Sequence, residues 1–497
     1  MESHVGKNIW YVSASTITSS ILTFAFWLLV AKIAGPSAIG TASYINAVAI
    51  IVSSIVLLDV QLGMKRQLGF ESSRSNFPEF RTIILASVCI IGTALATTLV
   101  VLFSIASFLS DSLDITGQYY YVFVFMIVVI SIQLFLSEVL ISGLRSRILI
   151  FSVVISTILR FPLFLVLIRT LNDPVEASVY SFISAYIVSV CICVVYILPL
   201  LVNGKLSIRG NKVWSRIKRI LSTSMSSWTP HVIYVLGNQL ALVSVVVIEG
   251  FSEAGTFYIT MSAYLVTMFV VTGITKVTHS VISNVDHRRQ NDIFSSYVRL
   301  AFFTTMPLAA GMALYSDQFL SLMGPSFEHA AASLSILMLG IPLAIVCEIT
   351  YYFAYGLGDH SVVLKLGFAG NIPRIGLYLV LPSFMGIDGA SVAYVIGLVS
   401  QFAFSLTVIR KYHFCLSHRS LTIFSSMPFV FGMFFYALDL NFFVGLVLIY
   451  LTSILVFVRM RMFMDVDLYN ILFAIFSRRI ANLLNYYLSR IIRFIQR

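Results

Sequence analysis

The sequence predicts an all-α integral membrane protein with about fourteen transmembrane helices. Three observations predict it. Charged residues make up only 11% of the 497 residues while 59% are hydrophobic, against about 25% charged in an ordinary soluble domain. Mean hydropathy is +0.95, and apolar runs of about 20 residues, the length that crosses a bilayer, recur from end to end. Lysine and arginine, finally, alternate from one connection to the next.

The apolar runs fall near residues 8–31, 38–62, 82–110, 119–142, 149–168, 177–201, 222–249, 254–284, 300–316, 329–355, 361–381, 387–409, 420–438 and 442–458. The first run has the length of a spanning helix, so no cleavable signal peptide is expected. Of the 32 basic residues, 26 lie in the amino-terminal segment, alternate connections and the tail. Only Lys32 and Arg169 lie in the other connections, and Arg160, Lys276, Lys365 and Arg374 fall inside spans. Basic connections stay in the cytoplasm, so both termini are expected there, in the cell (cytoplasmic) membrane. One missed span would scramble the alternation. The net charge of +11 is thus accounted for by topology, and nucleic acid is not expected as a partner. The five cysteines have no metal spacing and read as buried free thiols.

A repeat organises the chain. Residues 35–41 read GPSAIGT and residues 250–256 read GFSEAGT, 215 positions apart. RFPLFLVL at 160–167 returns as RIGLYLVL at 374–381, offset 214, and ASV at 177–179 returns at 390–392, offset 213. Leucine and valine match cheaply in so apolar a chain, whereas glycine, arginine and turn residues at one steady offset do not. The glycines suit tight reversals at the membrane surface. Six spans per repeat is an even number, so the halves share one orientation and the repeat is parallel. The expected division is a six-helix bundle at 1–203, a basic cytoplasmic linker at 204–221, a second six-helix bundle at 222–412, two further transmembrane helices at 413–460, and an amphipathic basic tail at 461–497 lying on membrane lipid. Parallel bundles of this kind enclose a central cavity.

Several segments resemble polysaccharide-flippase-type exporters. The first span ends VAKIAGPSAIG (30–40) and the second VQLGMKRQLG (60–69). VVVIEGFSEAGTFYITMSAYL (245–265), LMGPSFEHAAASLSILMLGIP (322–342) and MGIDGASVAYVIGLVSQ (385–401) carry the rest. The match is collective and runs from about Lys7 to Lys411. It implies the fold of the multidrug/oligosaccharidyl-lipid/polysaccharide (MOP) exporter superfamily. Within it, the chain is most similar to flippases for polyprenyl-linked oligosaccharides such as O-antigen units, with glycan-assembly proteins as possible associates.

The residues point to an anionic cargo. An ionisable group inside a membrane is costly and tends to mark a pathway or a partner. Arg160 lies about 17 Å and Arg374 about 20 Å from the basic ends of their spans, at 1.5 Å per residue, close to mid-bilayer. They occupy the same place in the repeat, so both could face one cavity. A guanidinium fork suits phosphate, as a lipid (pyro)phosphate would require. Lys276 is a shallower third candidate. The competing reading makes Arg160–Glu138 and Arg374–Glu348 structural ion pairs. Glu138, Glu348 and Asp59 are candidates for pairing or for a coupling ion, Na+ or H+. No nucleotide-binding loop of the G-x-x-x-x-G-K-S/T kind is present, and no cofactor or metal is expected.

The expected function is therefore transport, with no enzymatic step. A cation-coupled multidrug antiporter is the chief rival; such proteins commonly carry an acid deep in the amino-terminal bundle, and the first span here has none. A peptidoglycan-precursor flippase stays among the readings. A membrane glycosyltransferase or polysaccharide polymerase is weaker, because no outer connection is long enough to carry catalytic groups.

Overall fold

The computed structural model describes residues 2–61, 63–64, 67–68, 77–104, 118–142, 146–202, 210–282, 287–416 and 418–460. The expected tail at 461–497 lies outside them, as do residues 204–209 of the expected linker. The described residues are helical, with no strand among them. The helices are α1 (Glu2–Val56), α2 (Phe77–Ser104), α3 (Gln118–Ser142), α4 (Ser146–Leu171), α5 (Pro174–Val202), α6 (Gly210–Glu249), α7 (Phe251–Thr267), α8 (Phe269–Ile282), α9 (His287–Leu314) and α10 (Ser316–Ser321). A 3-10 turn at Pro325–Ala330 follows, then α11 (Ala331–Leu339), α12 (Ile341–Gly356), α13 (His360–Tyr378), α14 (Pro382–Lys411), α15 (His418–Ala437) and α16 (Phe442–Arg459).

Ten of these helices are long and apolar enough to cross a membrane, or up to twelve if two bent pairs each count as one span. The expected number was fourteen, and the difference has identifiable causes. The first two expected spans run through one helix, α1, which is broken at Gly35. The eleventh expected span is α13, a helix whose Lys365, Asn371 and Arg374 dilute its apolar character. The bent pairs are α7 with the start of α8, at 51°, and Pro325–Leu339 with α12, at 44°. Residues 210–221, expected within the linker, are helical and run on into α6.

The duplicated glycine turn is conformational as well as textual. Gly35 has φ 77° and ψ −178°, and Gly250 has φ 89° and ψ 178°. Only glycine populates that region without strain. Pro36 then restarts α1 with its ring pre-set for a first helical turn.

The chain forms two compact units. One comprises residues up to Ser15 together with Ala38–Val243; the other comprises Thr16–Ser37 and everything from Ser244 on. In the first unit, α4 and α5 pack as a hairpin. Asn172 turns the chain at φ 55°, and Asp173 Oδ1 caps α5 by accepting from Val175 N at 2.8 Å. Arg216 at the start of α6 pairs with Glu79 at the start of α2 at 2.9 Å. Between Val56 and Val60 the backbone leaves the helix, with Leu58 and Asp59 at φ 47° and 51°. Trp228 Nε1 donates to the Ile55 carbonyl just before this break.

In the second unit, Trp27 packs edge-on to Tyr258 at 5.3 Å and Phe24 stacks on Phe319, which ties residues 16–37 to α7 and α10. Asp359 accepts from the backbone of Val362, capping α13, and also from Lys411 Nζ at 2.6 Å and Tyr412 Oη at 2.8 Å. That network fastens the α12–α13 turn to the end of α14.

Many large apolar side chains point outward, among them Val195 on α5, Val247 on α6, Phe434 on α15 and Leu451 on α16. Outward apolar side chains on helices of spanning length are solvated by lipid. Among the cysteines, all free, only Cys193 and Cys347 are buried, while Cys89, Cys191 and Cys415 are exposed. The expectation of five buried thiols is corrected accordingly: Cys89 and Cys191 lie on outward faces of α2 and α5, and Cys415 lies in the connection between α14 and α15.

Candidate functional site

Among the described residues, three charged side chains are more than nine-tenths buried: Asp59, Arg160 and Arg374. The two arginines are those the repeat singles out.

Arg160 lies in the middle of the candidate span Arg147–Leu171, two residues before the helix-interior Pro162. It is 7% exposed. Its guanidinium carbon sits 4.4 Å from the centroid of the Phe182 ring on α5 and 5.9 Å from that of Tyr186. The two rings meet edge to face at 5.5 Å and 75°. Tyr186 Oη in turn donates to Asn46 Oδ1 on α1, at 3.2 Å.

Arg374 on α13 directly follows Pro373 and is 4% exposed. Its guanidinium carbon sits 4.0 Å from the centroid of Tyr394 on α14, and its Nη1 donates to Asn371 Oδ1 at 3.5 Å. Tyr394 meets Tyr264 of α7 edge to face at 5.3 Å and 75°. Glu348 on α12 and Tyr378 also act electrostatically on Arg374.

Each unit thus holds one guanidinium on an edge-to-face aromatic pair. A cation over a ring face is attracted by the ring's quadrupole, by about 2 kcal/mol or more when desolvated. Stacking occupies a face of the guanidinium plane, whereas its N–H donors lie in the plane.

The other sequence candidates are placed as follows. Glu348, on α12, lies within electrostatic range of Arg374. Glu138 is partly buried on α3. Asp59 is 8% exposed at the helix break. Lys276 lies in α8, with its side chain outside the described part. Sequence reasoning missed Phe182, Tyr186, Tyr264, Tyr394, Asn46 and Asn371. An aromatic follows Arg160 by 22 residues and Arg374 by 20, but in a chain that is 14% aromatic such spacing is uninformative without a fold.

With the helices and the buried cations placed, the fold is similar to that of solved transporters of the MOP superfamily, and its many apolar helices mark a multi-pass membrane protein. No family model matches the chain and no curated protein matches it; solved structures do. One is the inward-facing conformation of a multidrug resistance MATE family transporter of the MOP superfamily, 14% identical with TM-score 0.65, covering 82% of this chain and 98% of that one. Another is the lipid II flippase MurJ in an inward closed conformation, 14% identical with TM-score 0.69, covering 91% of this chain and 99% of that one. A third is a MOP superfamily transporter from Pyrococcus furiosus, 15% identical with TM-score 0.58 and coverage of 82% and 96%, described as having a binding pocket of reverse polarity that suggests a different function. These neighbours are transporters and a flippase rather than enzymes.

Proposed function

We propose that this protein is a flippase that moves polyprenyl-(pyro)phosphate-linked oligosaccharide across the cytoplasmic membrane by alternating access, in the assembly of a surface polysaccharide or other glycan. The observation that carries this reading is the pair of buried, ring-stacked arginines at matching places of the repeat. An organic cation would be repelled by them, whereas a lipid phosphate would be held by charge-assisted, bidentate hydrogen bonds. Kinship of fold with a lipid II flippase supports a lipid-linked cargo. In this reading Arg160 and Arg374 bind substrate, with Lys276 as a further contact, and both termini lie in the cytoplasm.

The test is a deletion strain lacking any redundant exporter, in which lipid-linked oligosaccharide should accumulate in the inner leaflet and fail to reach the outer one. Normal outer-leaflet delivery there would overturn the assignment.

A second reading has its own support. The multidrug neighbours share the fold, and buried Asp59 together with partly buried Glu348 provides carboxylates that could carry a coupling Na+ or H+. A cation-coupled multidrug antiporter would confer resistance to cationic dyes when overproduced, and neutralising Asp59 or Glu348 would abolish that resistance.

A further inference from the structure

The second unit breaks its helices at three glycines with positive φ: Gly250 at 89°, Gly324 at 141° and Gly386 at 54°. An ionisable side chain follows each break closely: Glu253 after the first, His329 after the second and Asp388 after the third. We infer that His329 is the pin of a pH-sensitive latch, which holds the starts of α7 and α14 to the 3-10 turn at Pro325–Ala330 while its imidazole is protonated and loosens when the proton leaves. The latch lies within this one unit and its working is independent of the cargo.

Geometry brings the three side chains together. His329 Nε2 lies 2.8 Å from Glu253 Oε2. His329 also acts electrostatically on Asp388, whose Oδ1 is buried with no hydrogen-bond partner among the described residues. Glu249, the last residue of α6, adds a third carboxylate: its Oε1 would stand 3.5 Å from a methyl group built on Gly386. The 3-10 turn packs against α7, α10 and α11. Of the other ionisable groups on these elements, Asp317 of α10 and Glu328 of the turn are exposed, and α11 has none. Residues 16–37, which are tied to α7 and α10, carry the exposed Lys32. Residues 251–256, 316–339 and 382–391 contain neither lysine nor arginine. Within those stretches only His329 can set a positive charge against the carboxylates.

The switch follows from ordinary titration. An imidazole titrates near pH 6.5 and carboxyls near about 4. Protonated, His329 is a cation among acids. Neutral, it can still share one hydrogen bond with Glu253, but the carboxylates are left to repel one another. A histidine that gains a carboxylate partner on folding contributes stability that is present at low pH and lost as pH rises. The His329 and Glu253 side chains are 49% and 33% exposed, so solvent screens the pair and its effect is modest. It acts, however, where the backbone is already broken, so the starts of α7 and α14 can shift without bending a continuous helix. About one turn further along, Ser333 of α11 and Ser391 of α14, both buried, are hydrogen-bonded to each other. That bond anchors the two helices beyond the latch and confines the movement to their starts.

The experiment is amide hydrogen exchange on the full-length protein in nanodiscs, at about pH 5.5 and about pH 8, on either side of the ordinary imidazole range. After correction for the intrinsic exchange rate, residues 251–257 and 325–333 should be about two- to fivefold more protected at the lower pH, the size expected of a half-exposed ion pair. His329→Gln, which keeps a hydrogen-bonding side chain and cannot take up a proton, should abolish the difference. Glu253→Gln should abolish most of it, and carries the test alone if His329→Gln fails to fold. Asp359→Asn, at the α12–α13 turn, should leave the difference in these segments intact. Equal protection of the parent at the two pH values overturns the latch. So does a pH difference that survives in His329→Gln or in Glu253→Gln, because another group would then be titrating. Loss of the difference in Asp359→Asn would assign it to loosening of the whole unit and also overturns the inference.

Discussion

Gly397 of α14 lies directly against Arg374 of α13. A methyl group built on Gly397 would stand 2.9 Å from both Cβ and Nε of Arg374, and 2.7 Å from the Gly370 carbonyl oxygen. Hydrogen at this one position is what allows the guanidinium to reach Tyr394, three residues away on the same helix. Gly397→Ala is expected to push α13 and α14 apart and lift Arg374 off its ring. Overpacking of this kind costs about 1–3 kcal/mol, so the protein should still accumulate while transport falls sharply. Membrane abundance and outer-leaflet glycan, measured side by side, check it; unchanged transport would show that the seat of Arg374 has slack.

Arg374 and Glu348 interact, so two roles must be separated. Arg374→Ala is expected to abolish transport with protein still present, and Arg374→Lys to leave partial function, because the charge stays and the fork is lost. If the arginine were chiefly a partner for the carboxylate, Arg374→Ala would strand a buried charge, and Arg374→Ala with Glu348→Gln would restore both abundance and transport. The binding role instead keeps that double variant inactive. The same comparison with Arg160→Ala and Glu138→Gln examines the first unit.

Close approach within the first unit is tested at Gly63. A methyl group there would collide with Ser224 Oγ and stand 2.9 Å from the Ile220 carbonyl oxygen. Gly63→Ala should lower the thermal midpoint by several degrees, and adding Ser224→Ala should recover part of the loss by removing the nearer atom. The remaining deficit reports the backbone contact, which no side-chain change relieves.

A pH effect is expected from Asp359, which lies between α12 and α13 outside the spans. Hydrogen bonds from Lys411, Tyr412, Ser361 and the Val362 amide hold its carboxyl well below the usual carboxylate range. A depressed folded-state pKa stabilises the fold above the unfolded value, about 3.9, and that contribution is lost as pH falls through the folded value. Asp359→Asn should therefore lower the thermal midpoint at neutral pH, and the gap from the parent should narrow as pH drops below about 4. A gap independent of pH would assign the effect to capping alone.

Topology remains the broadest expectation. Cysteine labelling should find Ser37 and Ser252 accessible from the same, outer side, and residues 205–219 from the cytoplasm. Labelling of Ser37 and Ser252 from opposite sides would remove the parallel repeat.

The sequence by itself determined the membrane class and the helical character, and it singled out the two arginines that the structure buries. Those features are local or periodic: apolar length fixes a span, and a steady offset fixes a repeat. Gly35 and Gly250 show how far this reaches, since the repeated letters correspond to a repeated backbone conformation. The span count was less legible, because α13 trades apolar residues for Lys365, Asn371 and Arg374, and α1 runs through its glycine break. What holds the arginines was decided only by tertiary structure. Phe182 and Tyr394 meet their guanidiniums across helix pairs, and the edge-to-face partners come from the same helix in one unit and from α7 in the other. So too with Gly397, whose missing side chain matters because Arg374 lies beyond it. The direction in which a side chain leaves one helix, and what it meets on the next, depends on how the helices pack, and a linear pattern of apolar residues does not encode that choice in any one stretch of chain.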